Sequence, residues 1–194
     1  GRRKVSTEAV PLGEVPSPFV PKLMVTCADG TRPEARPMAA PGKDGAIVVG
    51  TIRMGFGHHR IAYAASSWGL ASKFGTTYFH DLLNIDSPEA TMIREMDKGY
   101  SKASRLATEM GGAVESLWGA LTKGADENML RASYQFGENL LPLLLGIPKD
   151  TPIITTHCCV GLIAIALGFK HVINLVIDNP AQWFIVVPGA YNLV

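Results

Sequence analysis

One run of residues constrains the fold of this chain more than any other feature. Residues 46–52 read Ala-Ile-Val-Val-Gly-Thr-Ile, a continuous apolar and β-branched stretch without polar alternation. Such a run predicts a strand buried on both faces, as in a parallel sheet covered by helices on each side. Because Gly55 and Gly57 follow, we expect the strand to turn sharply into a helix over residues 58–73.

The rest of the chain repeats this alternation of strand and helix. Ser87 and Pro88 have the residue types of a helix start. A helical insert over residues 89–145 is expected to hold three helices, and a short buried helix is expected at 159–167. Further strands are predicted at residues 76–80, 152–156, 171–177, 184–187 and 191–194. The pattern predicts an α/β fold with a doubly wound, mostly parallel, Rossmann-like sheet and a helical insert between strands two and three.

The first 45 residues differ in composition from the rest. Seven of the 13 prolines lie there, and no apolar period survives. Since proline lacks an N–H donor and disfavours helix in the residue before it, we predict an extended Pro-rich arm over residues 1–45. Residues 23–26 are expected to form a short edge strand. The globular, Rossmann-like domain is predicted to span residues 46–194.

Charge and hydropathy exclude some classes of partner. The formal net charge of +1 gives no bulk attraction for nucleic acid. The longest apolar run, residues 158–169, is shorter than the roughly 20 residues of a membrane-spanning helix. The odd number of cysteines, Cys27, Cys158 and Cys159, is a poor disulfide framework and favours a reducing compartment. A cytoplasmic or organellar location is therefore expected.

Candidate site residues follow the ends of the predicted strands. In open α/β sheets, ligands bind outside the carboxyl ends of the strands. Four of the five histidines are predicted at that edge, and His171 is the exception. The loop at residues 54–58 would also direct the free N–H groups of a helix towards an anion or a developing negative charge. The residues predicted at this edge include His58, His59, His80, Asp81, His157 and Asp178.

Three segments resemble one class of enzymes in the same chain order. Residues 50–58 read Gly-Thr-Ile-Arg-Met-Gly-Phe-Gly-His, residues 153–157 read Ile-Ile-Thr-Thr-His, and Val-Ile-Asp at 176–178 precedes Trp183. Together they resemble the acceptor-side domain of GT-B glycosyltransferases. That class includes monogalactosyldiacylglycerol synthase, processive diacylglycerol glucosyltransferases and the muramyl-lipid N-acetylglucosaminyltransferase.

The resemblance implies roles for individual residues and partners. It implies catalytic roles for His58, as general base, and for Asp178. It implies no cofactor and no metal ion. The nucleotide sugar would bind a second, donor-binding domain that these 194 residues lack, and the acceptor would be a lipid or similar hydroxyl compound at a membrane surface. The residues implied to bind substrate are Gly55, Phe56, Gly57, His59, Asp81, His157 and Trp183.

Several alternatives remain open on the sequence alone. Arg53, Met54 and Phe56 are bulkier than the loop residues of those enzymes, which favours a catalytically silent subunit that binds a protein partner or forms a homodimer. A nucleotide-binding oxidoreductase is a further alternative, although Arg60 stands where a dinucleotide fingerprint has its third glycine. His58 could equally be a helix residue without chemistry, and Asp178 a turn residue. A zinc site is another alternative, since His157, Cys158 and Cys159, with His58 and Asp81, offer zinc-type ligands, although the Cys-x-x-Cys and His-x-x-x-His spacings of common zinc motifs are absent.

Overall fold

The computed structural model describes residues 8–39, 45–54, 56–72, 75–112, 137–177 and 186–194. Within these ranges the chain forms one eight-stranded sheet. In chain order the strands are β1 (Leu12–Pro16), β2 (Met24–Ala28), β3 (Arg36–Pro37), β4 (Ala46–Thr51), β5 (Thr76–Asp81), β6 (Ile153–Thr155), β7 (Val172–Leu175) and β8 (Tyr191–Leu193). Their order across the sheet is β3-β1-β2-β5-β4-β6-β7-β8.

Helices connect the strands on both sides of the sheet. In the described ranges they are α1 (Phe56–Ala71), α2 (Pro88–Met110), α3 (Pro142–Leu145) and α4 (Cys158–Ala166), with a 3-10 turn at Leu82–Asn84. The predicted start of α2 is confirmed, because the Ser87 Oγ accepts a hydrogen bond from the Ala90 N–H. None of the helices in these ranges combines the length and the apolar character needed to cross a membrane.

Most of the sheet is parallel, which confirms a mixed α/β fold with a mostly parallel sheet. Strands β2, β5, β4, β6, β7 and β8 pair in parallel in that order, while β1 pairs antiparallel with both β2 and β3. The insert between β5 and β6 contains α2 and α3. The central part of the insert, residues 113–136, lies outside the described residues, as do two of the four residues of the strand predicted at 184–187; the other two, 186 and 187, are not in a strand.

Part of the region predicted as an arm belongs to the sheet, since β1, β2 and β3 all lie within residues 12–37. The strand predicted at residues 23–26 is present as β2, but its predicted edge position is wrong, because β2 lies inside the sheet between β1 and β5. The apolar side chains in and beside β2 explain this position. Leu23, just before the strand, and Cys27, within it, are fully buried in a core cluster. The prolines are compatible with this arrangement because Pro16 ends β1 and Pro37 lies in the two-residue strand β3.

Alternate side chains of β4 pack into two different core clusters. Val48 lies in a cluster with Ile93 of α2 and Val160 of α4. Ile47 and Val49 lie in the other cluster, which includes residues of α1. Since successive side chains of a strand point to opposite faces, α1 covers one face of the sheet, and α2 and α4 cover the other. The uniform burial of β4 follows from this double cover.

A glycine in β4 allows α4 to approach the sheet closely. A Cβ atom on Gly50 would lie 2.7 Å from Cγ1 of Val160. The same close approach recurs in the helix itself, where a Cβ on Gly161 would lie 2.8 Å from Cγ2 of Val187. These contacts hold the first turn of α4 beside the carboxyl end of β4. They therefore help to position the residues at the carboxyl ends of β4 and β6.

Candidate active site at the switch point of the sheet

The edge formed by the carboxyl ends of β4 and β6, with the helix starts beside them, is called the switch-point crevice. From β4 the chain crosses through α1 to β5 on one side, whereas β6, on the other side of β4, is reached through the helical insert. The chain therefore leaves β4 towards β5 on one side and leaves β6 towards β7 on the other. Such a reversal is the topological switch point at which open α/β sheets bind their ligands.

Two histidines meet at this switch point. His58 is the third residue of α1 and His157 is the N-cap residue of α4. Their ring centroids lie 5.0 Å apart, and both residues are half-buried. The structure thus brings together two residues that the sequence placed on different strands, 99 positions apart in the chain.

Thr156 fixes the position and the tautomer of His58. The His58 Nδ1 forms a hydrogen bond with the backbone carbonyl of Thr156. Because a carbonyl oxygen can only accept, Nδ1 must carry the proton, and a neutral His58 then has its lone pair on Nε2. The Thr156 hydroxyl in turn donates to the His58 carbonyl at 3.0 Å and lies 2.9 Å from the hydroxyl of Thr51.

His157 takes the opposite tautomer. Its Nδ1 accepts a hydrogen bond from the Cys159 N–H at 3.3 Å, as the cap of the α4 N-terminus. A neutral His157 therefore carries its proton on Nε2. Its backbone is held by Thr155, whose Oγ1 donates to the His157 carbonyl at 2.9 Å and accepts from its N–H at 3.1 Å. The crevice thus presents one imidazole suited to accept a proton and one suited to donate a hydrogen bond.

His59 and Asp81 form a second group at the same edge. Asp81 is fully buried, and its Oδ1 accepts from the N–H groups of Leu83 at 3.0 Å and Arg53 at 3.3 Å. Its Oδ2 lies 3.7 Å from Arg53 Nε and 3.8 Å from His59 Nε2. These contacts tie the turn after β4 to the end of β5. Asp81 therefore has a structural role in addition to its predicted role in substrate binding.

Burial dominates the ionisation of this second group. It raises the pKa of Asp81, while the hydrogen bond from Leu83 and the Arg53 charge oppose the change. Burial also lowers the pKa of His59, which favours its neutral form despite the nearby carboxylate. The His59 ring packs edge-on against Tyr63 and Phe79, with centroids 5.0 and 5.3 Å away. His59 is thus held by aromatic packing as much as by charge.

His80 does not belong to the crevice, contrary to its predicted place at the ligand-binding edge. Its side chain is fully buried inside the sheet, where Nδ1 lies 2.7 Å from the Thr26 hydroxyl. Burial lowers its pKa to about 4, and a backbone hydrogen bond with Leu143 only partly opposes this. The prediction failed because β2, on which Thr26 lies, was not expected inside the sheet.

Two cysteines follow His157 in the first turn of α4. Cys158 is half-buried and Cys159 is buried. The hydrogen bond between the two thiols lowers the pKa of Cys158, assisted by His157, and the same bond and burial raise the pKa of Cys159. Ligand atoms of His157, Cys158 and Cys159 all lie within 4.8 Å of one another. The three members are consecutive in the chain, and the structure brings their ligand atoms together.

The remaining predicted site residues have mixed outcomes. Gly55, Asp178 and Trp183 lie outside the described residues. Phe56 and Gly57 begin α1, where Gly57 is exposed and has open space at its Cβ position. Sequence reasoning did not single out Thr156 as the partner of His58, or Thr51 as the partner of Thr156. The available signal was their position at the ends of two predicted strands, each of which precedes a candidate histidine.

The fold and the site together define a mixed α/β protein with two adjacent histidines at the switch point of a mostly parallel sheet. The chain belongs to the family described as Domain of unknown function (DUF6937), whose model matches residues 21–194. The match crosses residue 45, so the family includes β2 and β3 together with the sheet that follows. Neither a search of curated proteins nor a search of solved structures found a match.

Proposed function

We propose that this chain forms the acceptor-binding half of a GT-B-type glycosyltransferase, which moves a sugar from a nucleotide sugar to a lipid or similar hydroxyl acceptor. The observation that carries the proposal is the hydrogen bond between His58 Nδ1 and the Thr156 carbonyl, at the mouth of the switch-point crevice. It leaves the Nε2 lone pair of a neutral His58 as the proton acceptor, which is the arrangement that a general base requires.

The proposed chemistry uses the two imidazoles in different roles. As the acceptor hydroxyl attacks the anomeric carbon, His58 Nε2 takes its proton, while the bond between that carbon and the donor diphosphate breaks and the diphosphate leaves with the electron pair. The centroid of the His157 ring lies 5.0 Å from that of His58. The His157 Nε2–H is placed to hydrogen-bond an acceptor oxygen and orient it. Both rings are half-buried, so the acceptor would be partly shielded from water.

The helices at the crevice also suit a negatively charged substrate. Both α1 and α4 begin there, and neither has an acidic residue in its first turn. The positive ends of the two helix dipoles therefore favour an anion or a developing negative charge. The diphosphate of a nucleotide sugar, held mainly by a second domain, would approach this positive end. The proposal thus needs neither a cofactor nor a metal ion for sugar transfer.

An acceptor-dependence assay tests the proposal. The full-length protein is incubated with uridine- and guanosine-diphosphate sugars, with and without vesicles that contain diacylglycerol, and nucleoside diphosphate release is followed. We expect release to rise at least about tenfold when the acceptor is present, since the base acts on the acceptor hydroxyl. Mass spectrometry should then detect the glycosylated lipid. If a panel of lipid and soluble hydroxyl acceptors leaves release unchanged, the proposal is wrong.

A further inference from the structure

The cluster at the start of α4 has the composition of a soft-metal site. His157, Cys158 and Cys159 offer one imidazole nitrogen and two sulfurs, all within 4.8 Å of one another. We propose that these three residues bind zinc or a metal ion of similar softness. This site is additional to the proposed sugar transfer and does not depend on it.

The spacing of the ligand atoms is close to what zinc requires. With Zn–S near 2.3 Å and Zn–N near 2.1 Å, tetrahedral coordination separates the ligand atoms by roughly 3.4–3.8 Å. The three ligand atoms lie within 4.8 Å of one another, so side-chain rotations that move them by about 1 Å would bring them to these distances. Cys158 is half-buried and borders the crevice through His157, so an ion can reach it from solvent.

The backbone around the cluster assists this coordination. The lone pair of His157 Nδ1 already points into the first turn of α4, because it accepts the long 3.3 Å hydrogen bond from the Cys159 N–H. A metal ion on Nδ1 would replace that weak bond, and the released N–H could then donate to a cysteine sulfur. The N-terminal N–H groups of α4 favour anionic sulfur ligands, and two thiolates balance the charge of a divalent ion.

The donor set also selects the class of metal. Thiolate and imidazole ligands suit zinc and neighbouring transition metals, whereas magnesium and calcium prefer oxygen ligands. Three protein ligands leave the fourth position of a tetrahedral ion for water or substrate, as in catalytic rather than structural zinc sites. The cluster therefore predicts zinc binding that an excess of magnesium does not displace.

Cobalt substitution tests the proposal directly. Titration of the full chain with Co²⁺ should produce thiolate-to-cobalt charge-transfer absorption that saturates at one equivalent of cobalt. Zinc should then displace the cobalt and abolish the absorption. We expect Cys158→Ser and Cys159→Ser each to lose most of the charge-transfer absorption, because each replaces a thiolate ligand with a hydroxyl. The matched control is Cys27→Ala, which removes the third cysteine, buried in the other core cluster, and should leave the absorption unchanged. His58→Ala should also retain the absorption, which separates this site from the proposed base.

A second measurement does not require the variants to fold. Alkylation of the native protein by iodoacetamide, read by mass spectrometry, should label Cys158, and zinc but not magnesium should protect it. Absence of the charge-transfer band in the wild-type chain would overturn the proposal. So would labelling of Cys158 that is equally fast with and without zinc, or a cobalt spectrum that both serine variants retain.

Discussion

Replacing His58 with alanine is expected to lower the turnover of sugar transfer by about 10²–10⁴-fold, the usual contribution of a general base. The reason is that Nε2, made the proton acceptor by the Thr156 carbonyl, has no substitute in the described part of the crevice with the same tautomer. The effect should appear mainly in kcat, because the acceptor still binds. The measurement is steady-state turnover with varied acceptor.

His171 provides the matched control. It is an exposed histidine that immediately precedes β7, at the amino end of the strand and away from the crevice. His171→Ala should retain wild-type turnover. His58→Ala should keep its far-ultraviolet circular dichroism, since His58 is half-buried and is not part of the buried core. Equal turnover in the two variants would remove the general-base role from His58.

The second large expected effect concerns stability, not catalysis. The pKa of His80 falls to about 4 in the folded protein from the ordinary histidine value of 6.5, because the ring is fully buried. The unfolded state therefore binds more protons than the folded state between these values. The stabilising effect of neutral His80 is complete above about pH 6.5 and is lost as the pH falls towards about 4. The loss amounts to about 3 kcal/mol at 1.36 kcal/mol per pH unit.

Urea unfolding of the wild type and of His80→Gln between pH 4 and pH 7 measures this contribution. Burial raises the pKa of the neighbouring Asp81, which has the opposite effect: its penalty grows as the pH rises. Since both proteins contain Asp81, its contribution cancels in the difference between them. The free energy of the wild type should fall more steeply with acid than that of His80→Gln, whereas His171→Gln should follow the wild type. Parallel curves for wild type and His80→Gln would show that His80 is not buried as described.

The strands with strong local signals could be predicted from the sequence. The apolar run that became β4 is buried on both faces, which requires no information from distant residues, and the glycine at position 168 ends α4 with a positive φ of 80°. The place of β2 could not be predicted in this way. Its pairing with β5 depends on residues more than 50 positions away. The prolines around β2 also give this region the composition that is typical of an extended arm.

Sequence patterns could predict which histidines lie at the edge of the sheet, with the exception of His80, but not the hydrogen bonds that they form. The rule for strand ends placed His58 and His157 at one edge, and the structure brings their rings within 5.0 Å. Local patterns cannot tell which side chains at that edge point inward, and His80 was therefore misplaced. They also cannot assign tautomers, because these depend on Thr156 and on the first turn of α4, groups that approach only when the sheet assembles.

The most direct test of the switch-point site is a measurement of the imidazole tautomers. Long-range ¹H–¹⁵N correlation spectra of histidine-labelled protein, recorded where the rings are neutral, report which nitrogen carries the proton. The proposed site predicts the proton on Nδ1 of His58 and on Nε2 of His157, with both signals shifting when a lipid acceptor is added and His171 unchanged. A His58 proton on Nε2, with neither ring responding to any acceptor, would contradict it.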